Sequence, residues 1–297
     1  MSTSSKSYLA GLIGRGIGAS RSPEMHEREA ASLGVPLVYR TIDFDQLGYE
    51  DDRLDDMVRT LQAIGFDGTN VTHPFKQKVL ASLDTVSPDA TALGAVNTVV
   101  YRGGARHGFN TDWTGFRANL LLALPGIALR QVAQIGCGGA GSAIAYALLS
   151  MGVQQLRVVD PDREKAEAMA GRIGFHFPDQ AVLVVSSAEE ALDAADGLVQ
   201  TSPIGMASHP GVPFPPELLR AHMWVSEIVY FPSETELLRA AKKRGCATLA
   251  GGGMAVHQAA DAFQLITGLE PCVSRMLENF NRAPDDSTES VNTGHKS

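Results

Sequence analysis

The chain has 297 residues, 44% apolar and 20% charged, which is enough for two ordinary domains with real cores and excludes a disordered or fibrous protein. Lys and Arg number 25 against 33 Asp and Glu, and the formal charge of −8 argues against nucleic acid as a partner, because phosphate binding needs a basic field. No run reaches the roughly 18–20 apolar residues of a membrane-spanning helix. The Ser-rich start, residues 1–7, carries no cleavage pattern. Cys137, Cys246 and Cys272 follow neither a disulfide nor a zinc spacing, so a cytoplasmic protein without membrane contact is expected.

Strand-like and helix-like stretches alternate almost from end to end, which predicts an α/β fold. Residues 8–13 read as a first strand leading into Gly14-Arg15-Gly16-Ile17-Gly18, and a helix is expected from Pro23, since proline suits a first helical turn. Residues 37–44 form the next strand. Within 52–64, Leu54, Met57, Leu61 and Ile64 recur at helical spacing. Strands are expected at 68–72 and 95–101, the latter joined to 107–111 by a Gly-Gly turn. A second unit then opens with a buried strand at 132–135, a glycine-rich turn and an apolar helix through Leu149. Further strands are expected at 155–159, 182–185, 197–200, 225–230 and 247–249, with helices at 162–173 and 255–267. The boundary between the units falls near Trp113, and the polar tail 283–297 is expected to be disordered.

The glycine turn reads Gly136-Cys137-Gly138-Gly139-Ala140-Gly141. A lone G-x-G-x-x-G is weak, but here it follows a strand and opens a helix, the context in which glycines let backbone approach a pyrophosphate at a helix N-terminus. Asp160 stands at the end of the next strand, where a carboxylate can accept from adenine ribose hydroxyls and repel a 2′-phosphate. NAD is therefore expected over NADP, although the nearby Arg163 could bind such a phosphate. Cys137 in this loop reads as a small packing residue in preference to a redox thiol.

Ahead of that unit lie Asn70-Val71-Thr72-His73-Pro74-Phe75-Lys76, Gly94-Ala95-Val96-Asn97-Thr98 and Asn110-Thr111-Asp112. Alone, a loop lysine is usually a solvated charge and an Asn-Thr-Asp run a turn or helix cap. Taken together with Ser20-Arg21-Ser22-Pro23, the glycine loop, Pro203-Ile204-Gly205-Met206 and residues 254–258, these segments resemble the shikimate dehydrogenase family in the same order, over about residues 9–280. Asp160-Pro161-Asp162 and Thr267-Gly268-Leu269-Glu270-Pro271 look most like its NAD-using quinate/shikimate branch.

The resemblance implies a small cyclic hydroxy acid bound between an N-terminal α/β substrate domain, 1–112, and a Rossmann-type dinucleotide domain, 113–253. The last helices, about 254–282, would return to the first domain. Ser20 and Ser22 match hydroxyls that hold the carboxylate, Thr72, Asn97 and Gln258 match groups that read ring hydroxyls, and Tyr230 matches a tyrosine near the carboxylate. Lys76 and Asp112 match the catalytic pair. Ser202, Pro203, Gly205, Met206, Gly253 and Met254 match segments near the nicotinamide. The chemistry is consistent, since oxidising an alcohol requires a group within reach of the departing hydroxyl proton. A lysine amine is a poor base when protonated, and burial and a carboxylate neighbour act on it in opposite directions, so a coupled Lys–Asp relay is the expectation.

Two departures from the family pattern stand out. Gln200-Thr201-Ser202 replaces an Asn-Ala-Thr/Ser run, and Glu227 stands where Asp is more usual. No metal is expected, because His26, His73, His107 and His257 lack ligand spacing, and no G-x-S-x-G elbow suggests a hydrolase. Alternatives are an amino-shikimate-type dehydrogenase and a catalytically silent paralogue that senses an acid or cofactor. Retention of both Lys76 and Asp112 argues against a sensor. Either a monomer or a homodimer fits.

Overall fold

A computed structural model describes residues 6–282 and contains two six-stranded sheets. The tail expected from Ala283 lies outside the described residues. The first unit runs β1 (Tyr8–Gly14), α1 (Ser22–Ser32), β2 (Leu37–Asp43), α2 (Phe44–Leu47), α3 (Leu54–Ala63), β3 (Gly68–Val71), β4 (Thr85–Val86), α4 (Pro88–Leu93), β5 (Thr98–Arg102) and β6 (Ala105–Phe109). Its sheet order is β2-β1-β3-β5-β6-β4, and β5 runs antiparallel to β3 and β6. The ends of β1, β3 and β6 and the start of β5 therefore meet at one edge.

Helix α5 (Asp112–Ala123) leads into the second unit: β7 (Gln131–Ile135), α6 (Gly139–Ser150), β8 (Gln155–Val159), α7 (Arg163–Gly174), β9 (Ala181–Val184), α8 (Ala188–Leu192), β10 (Gly197–Gln200), β11 (Trp224–Glu227), α9 (Glu236–Lys243) and β12 (Ala247–Leu249). Every pair in this sheet is parallel, in the order β12-β11-β10-β7-β8-β9. Read from β7, this is the doubly wound Rossmann order, with its reversal between β7 and β10. Near-continuous apolar strands fit a sheet covered by helices on both faces, and Val132, Leu156, Val158 and Leu198 are buried.

The last helices, α10 (Gly252–Thr267) and α11 (Val273–Asn281), return to the first unit, as expected. Ile266 packs with Ala10, Leu12 and Val100, while Val256, Ala259 and Ala260 pack on Met25 and Met276. Helices α5 and α10 are pressed together at Gly115, where a Cβ would lie 2.6 Å from the Gln258 backbone nitrogen. Any larger residue there would push the two helices apart.

Several expected boundaries shift, each for a local reason. Helix α3 buries Leu54, Val58 and Leu61, with Met57 only partly buried, whereas Ile64 sits beyond the last turn and is 62% exposed. Val58, not Ile64, completes the apolar face. Residues 95–97 do not join β5, because the Val96 N–H bonds to Lys76 O at 2.8 Å and the Val71 N–H to Asn97 O at 2.8 Å. Strand β11 stops at Glu227, short of Tyr230, because the Glu227 carboxylate takes the Val229 N–H at 3.0 Å. The short helices α2, α4, α8 and α9 went unread in the sequence. Ser87 and Ser187 cap α4 and α8 from outside, each accepting an N–H from the first turn. Among the described residues no helix is long and apolar enough to cross a membrane.

Candidate active site

The shared edge of the first sheet gathers most of the polar residues singled out in the sequence. After β3 the chain turns through Thr72-His73-Pro74, and Lys76 Nζ reaches Asp112 Oδ2 at 2.6 Å. Asp112 opens α5, where a helix N-terminus favours a carboxylate, and its own N–H is taken by Asn110 Oδ1 at 3.0 Å. Its second oxygen accepts from Asn97 Nδ2 at 3.0 Å, while Asn97 Oδ1 accepts from the Thr111 N–H at 2.7 Å. Gln258, on α10, brings Oε1 to 3.5 Å from both Asn97 Nδ2 and Thr111 Oγ1. The Lys76 and Asp112 side chains are only 20% and 9% exposed, so their attraction is screened less than that of a surface pair.

A second run of hydrogen bonds ties Ser20 and Ser22 to this pair. Ser20 Oγ donates to Ser22 Oγ at 3.2 Å, and Ser22 bonds to the Tyr39 phenol, whose pKa burial raises. Tyr39 OH donates to Asn70 Oδ1 at 2.8 Å, Asn70 Nδ2 to Thr98 Oγ1 at 3.0 Å, and Thr98 Oγ1 to Asn97 Oδ1 at 3.0 Å. Tyr39 and Asn70 were not among the residues assigned roles from sequence. The signal was available for Asn70, a polar residue inside a short strand otherwise built to be buried. Beneath Tyr39 lies His26, stacked at 4.7 Å and pushed down to about pKa 3 by burial, hence neutral.

Thr72 packs against Gly14, and Tyr230 lies at the rim against the Phe280 ring, which in turn carries the Arg21 guanidinium at 4.6 Å. Among the described residues no hydrogen bond links Thr72 or Tyr230 to the Lys76–Asp112 network.

The glycine loop sits at the reversal of the second sheet. Gly136 has φ +97°, and a Cβ there would meet the Ser202 nitrogen at 2.8 Å. Thr201 Oγ1 closes the switch point by donating to Gly136 O at 2.7 Å. Gly138 and Gly139 face open space, with only Lys165 Nζ within 4 Å of a Cβ at Gly138, and α6 has no side-chain cap. Uncapped N–H groups beside a glycine opening suit a pyrophosphate. Ala140 follows in the first turn of α6, and Gly141 packs on Gly136 O.

Asp160 Oδ2 accepts from the Cys137 N–H at 2.7 Å and Oδ1 from the Asp162 N–H at 3.0 Å, fixing the loop to the next helix. Arg163 turns to Glu167 at 2.8 Å, and the cation nearest Asp160 is Lys165, at 3.7 Å. Sequence reasoning missed Lys165. Asp162 caps α7 through the Lys165 N–H, which places that side chain beside the loop. Burial pushes the Cys137 thiol up to about pKa 12, the state of a packing residue and not a nucleophile. Among the described residues no three His, Cys, Asp or Glu side chains gather in a way that could hold a metal ion.

Helix α10 joins the two sites. Gly251, just before it, is pressed against the Ile228 and Glu227 carbonyls, with Gly253 and Met254 in the first turn, while Gln258 reaches the Lys76–Asp112 network. Seven residues of helix span about 10 Å, so the end of β11 and the Lys76–Asp112 network lie about that far apart along α10.

A family model described as the shikimate dehydrogenase substrate binding domain matches residues 12–99, and one described as NADP oxidoreductase coenzyme F420-dependent matches 131–209. Shikimate dehydrogenase (NADP(+)) of Streptomyces avermitilis is 52% identical over 92% of this chain and 95% of its own. The chain belongs to the shikimate dehydrogenase family. Quinate/shikimate dehydrogenase (NAD(+)) of Corynebacterium glutamicum is 48% identical over 92% of this chain and 98% of its own. A solved structure of quinate dehydrogenase from Corynebacterium glutamicum in complex with NAD superposes with a TM-score of 0.88 over 92% of this chain and 98% of that one, at 48% identity. Within this family of oxidoreductases the relatives named for NADP and for NAD are similarly close, so the choice of cofactor falls to local residues.

Proposed function

We propose that this chain interconverts shikimate and 3-dehydroshikimate, or quinate and 3-dehydroquinate, with NAD as the preferred cofactor and Lys76 and Asp112 handling the hydroxyl proton. The observation that carries the reading is the 2.6 Å contact between Lys76 Nζ and Asp112 Oδ2, in a chain that also carries an open glycine turn at the reversal of its second sheet. Oxidation removes a hydride from the ring carbon and a proton from its hydroxyl, and the nicotinamide, when bound, takes the hydride. In oxidation the Lys76 amine, its own proton relayed to Asp112, accepts the hydroxyl proton as the carbonyl forms. In reduction the ammonium returns it to the developing alkoxide. Ser20 and Ser22 hold the carboxylate, with Tyr230 at the rim on their side. Thr72, Asn97 and Gln258 read the ring hydroxyls, an assignment supported for Asn97 and Gln258 by their convergence on Thr111. Residues 1–112 with about 254–282 serve as the substrate unit and 113–253 as the cofactor unit.

Gly136, Gly138, Gly139, Ala140 and Gly141 would hold the pyrophosphate, with Ser202, Pro203, Gly205, Met206, Gly253 and Met254 at the nicotinamide end. Asp160 supports NAD, since its carboxylate opposes a 2′-phosphate, and Lys165 beside it offsets part of that charge. NADP is therefore the weaker cofactor and not an excluded one. Initial rates read at the reduced-nicotinamide absorbance, with quinate and shikimate each paired with NAD and NADP, test the reading. Turnover is expected with at least one acid and faster with NAD. Tight binding without turnover in any combination overturns it in favour of a sensor.

A further inference from the structure

Strands β10 and β11 end on two register partners, Gln200 and Glu227, both buried and both pointing to the same side of a parallel pair. Each stands where the family pattern has a side chain one methylene shorter. Gln200 folds the turn that follows it. Its Oε1 accepts from the Ser202 N–H at 2.8 Å, and its Nε2 donates to Ser202 O at 3.1 Å and Ile204 O at 2.6 Å. Glu227 does the same for the next loop, taking the Val229 N–H at 3.0 Å and Thr235 Oγ1 at 3.3 Å.

The two side chains then converge. Glu227 Oε2 lies 3.5 Å from where a Cβ on Gly205 would stand, and Thr235, which Glu227 holds, packs against the same glycine. The Ile204–Gly205 peptide is thus held from the β10 side by Gln200 and abutted from the β11 side by Glu227. The Ile228 N–H to Gln200 O bond at 3.1 Å closes the arrangement at the backbone. Glu227 has only neutral hydrogen-bond donors, and no ion pair reaches it among the described residues. Both side chains are almost wholly enclosed, and the hydrogen bonds they make are to the loops that follow their strands.

We propose that Gln200 and Glu227 form a length-matched pair of positioning residues that sets the 201–206 turn and the 228–235 loop against each other, and so fixes the nicotinamide end of the cofactor site. The proposal rests on the reading above, in which the 201–206 turn lies at the nicotinamide end and the 228–235 loop carries Tyr230 to the rim of the acid site. Shortening one partner alone moves one loop against the other, whereas shortening both moves them together. Pairs in contact through a shared element show such coupling, and independent sites do not.

The test is a cycle of Q200N, E227D and Q200N/E227D, measuring kcat, KM for the ring acid and the dissociation constant of the cofactor. Q200N is expected to lower kcat by about tenfold while the acid's KM moves by less than about twofold, because its turn carries no acid-binding residue. E227D, whose loop carries Tyr230, is expected to lower kcat by about tenfold and to raise the acid's KM as well. The double variant is expected to recover to within about threefold of wild type. Single-variant losses that multiply in the double variant, or a wild-type kcat for E227D, overturn the proposal. If E227D does not fold, E227Q carries the test at equal volume. A kcat loss of about fivefold or more is then expected, and wild-type kcat is the contrary result. A wild-type chain without nicotinamide turnover would instead defeat the functional reading itself.

Discussion

The two halves of the proposed active site are built on opposite plans. At the edge of the first sheet the functional side chains are already bonded to each other, from Ser20 through Tyr39, Asn70, Thr98 and Asn97 to Asp112 and Lys76. At the glycine turn of the second sheet, Gly138 and Gly139 leave a gap and α6 starts without a cap. The difference follows from what each must meet. A proton relay works only if the side chains hold their geometry before substrate arrives, whereas a pyrophosphate brings its own acceptors and needs donors left unused.

Four changes break or sharpen this contrast. The largest effect is expected for Lys76→Ala, which removes one end of the pre-bonded relay: kcat should fall by about 10²–10⁴ with the fold and cofactor affinity retained. Normal turnover would remove Lys76 from the chemistry.

Next comes Glu227, the buried carboxylate of the second half, which burial pushes up to about pKa 7 from 4.5. A raised folded-state pKa means that its contribution to stability is fully present below about pH 4.5 and is lost as pH rises through about 7, a swing of about 3 kcal/mol. Denaturant unfolding of E227Q beside wild type should show their difference changing by roughly that amount across the window. A constant difference contradicts the assignment.

Gly136→Ala strains a backbone at φ +97° and drives a methyl into Ser202, so stability should fall by about 1–3 kcal/mol and cofactor affinity with it. The acid's KM should stay near wild type, since the first sheet edge is untouched. Loss of acid binding without loss of cofactor binding would reverse the assignment of the two halves. The smallest effect is expected for Asp160→Ser, which leaves Lys165 unopposed. The ratio of kcat/KM for NADP over NAD should rise about tenfold, and an unchanged ratio would remove Asp160 from cofactor choice.

The two halves also differed in how far the sequence could be read. The glycine turn was legible because its geometry is local, a strand, a glycine run and a helix within 20 contiguous residues, whereas its place at the sheet reversal came only with the strand order. The catalytic edge was legible only through resemblance, since Lys76, Asn97, Asp112 and Gln258 are brought together by an antiparallel hairpin and a helix returning from far along the chain. Tyr39 stayed hidden because a polar tip in a buried strand has meaning only once its partner strand is known. Lys165 was missed because its place beside Asp160 depends on the Asp162 cap of α7, whereas Arg163 is given to Glu167 by the i,i+4 spacing. The helical phase of Val58 against Ile64 turned on where α3 ends, which Gly65 decides just outside the pattern.

The central claim, that Lys76 and Asp112 act as one unit on one hydroxyl, is tested most directly by kcat for Lys76→Ala, Asp112→Asn and the double variant under saturating acid and cofactor. Groups that act together give losses that do not multiply. The account predicts a double variant no slower than about threefold below the slower single variant. Losses that multiply in full, or an Asp112→Asn enzyme at wild-type speed, would contradict it.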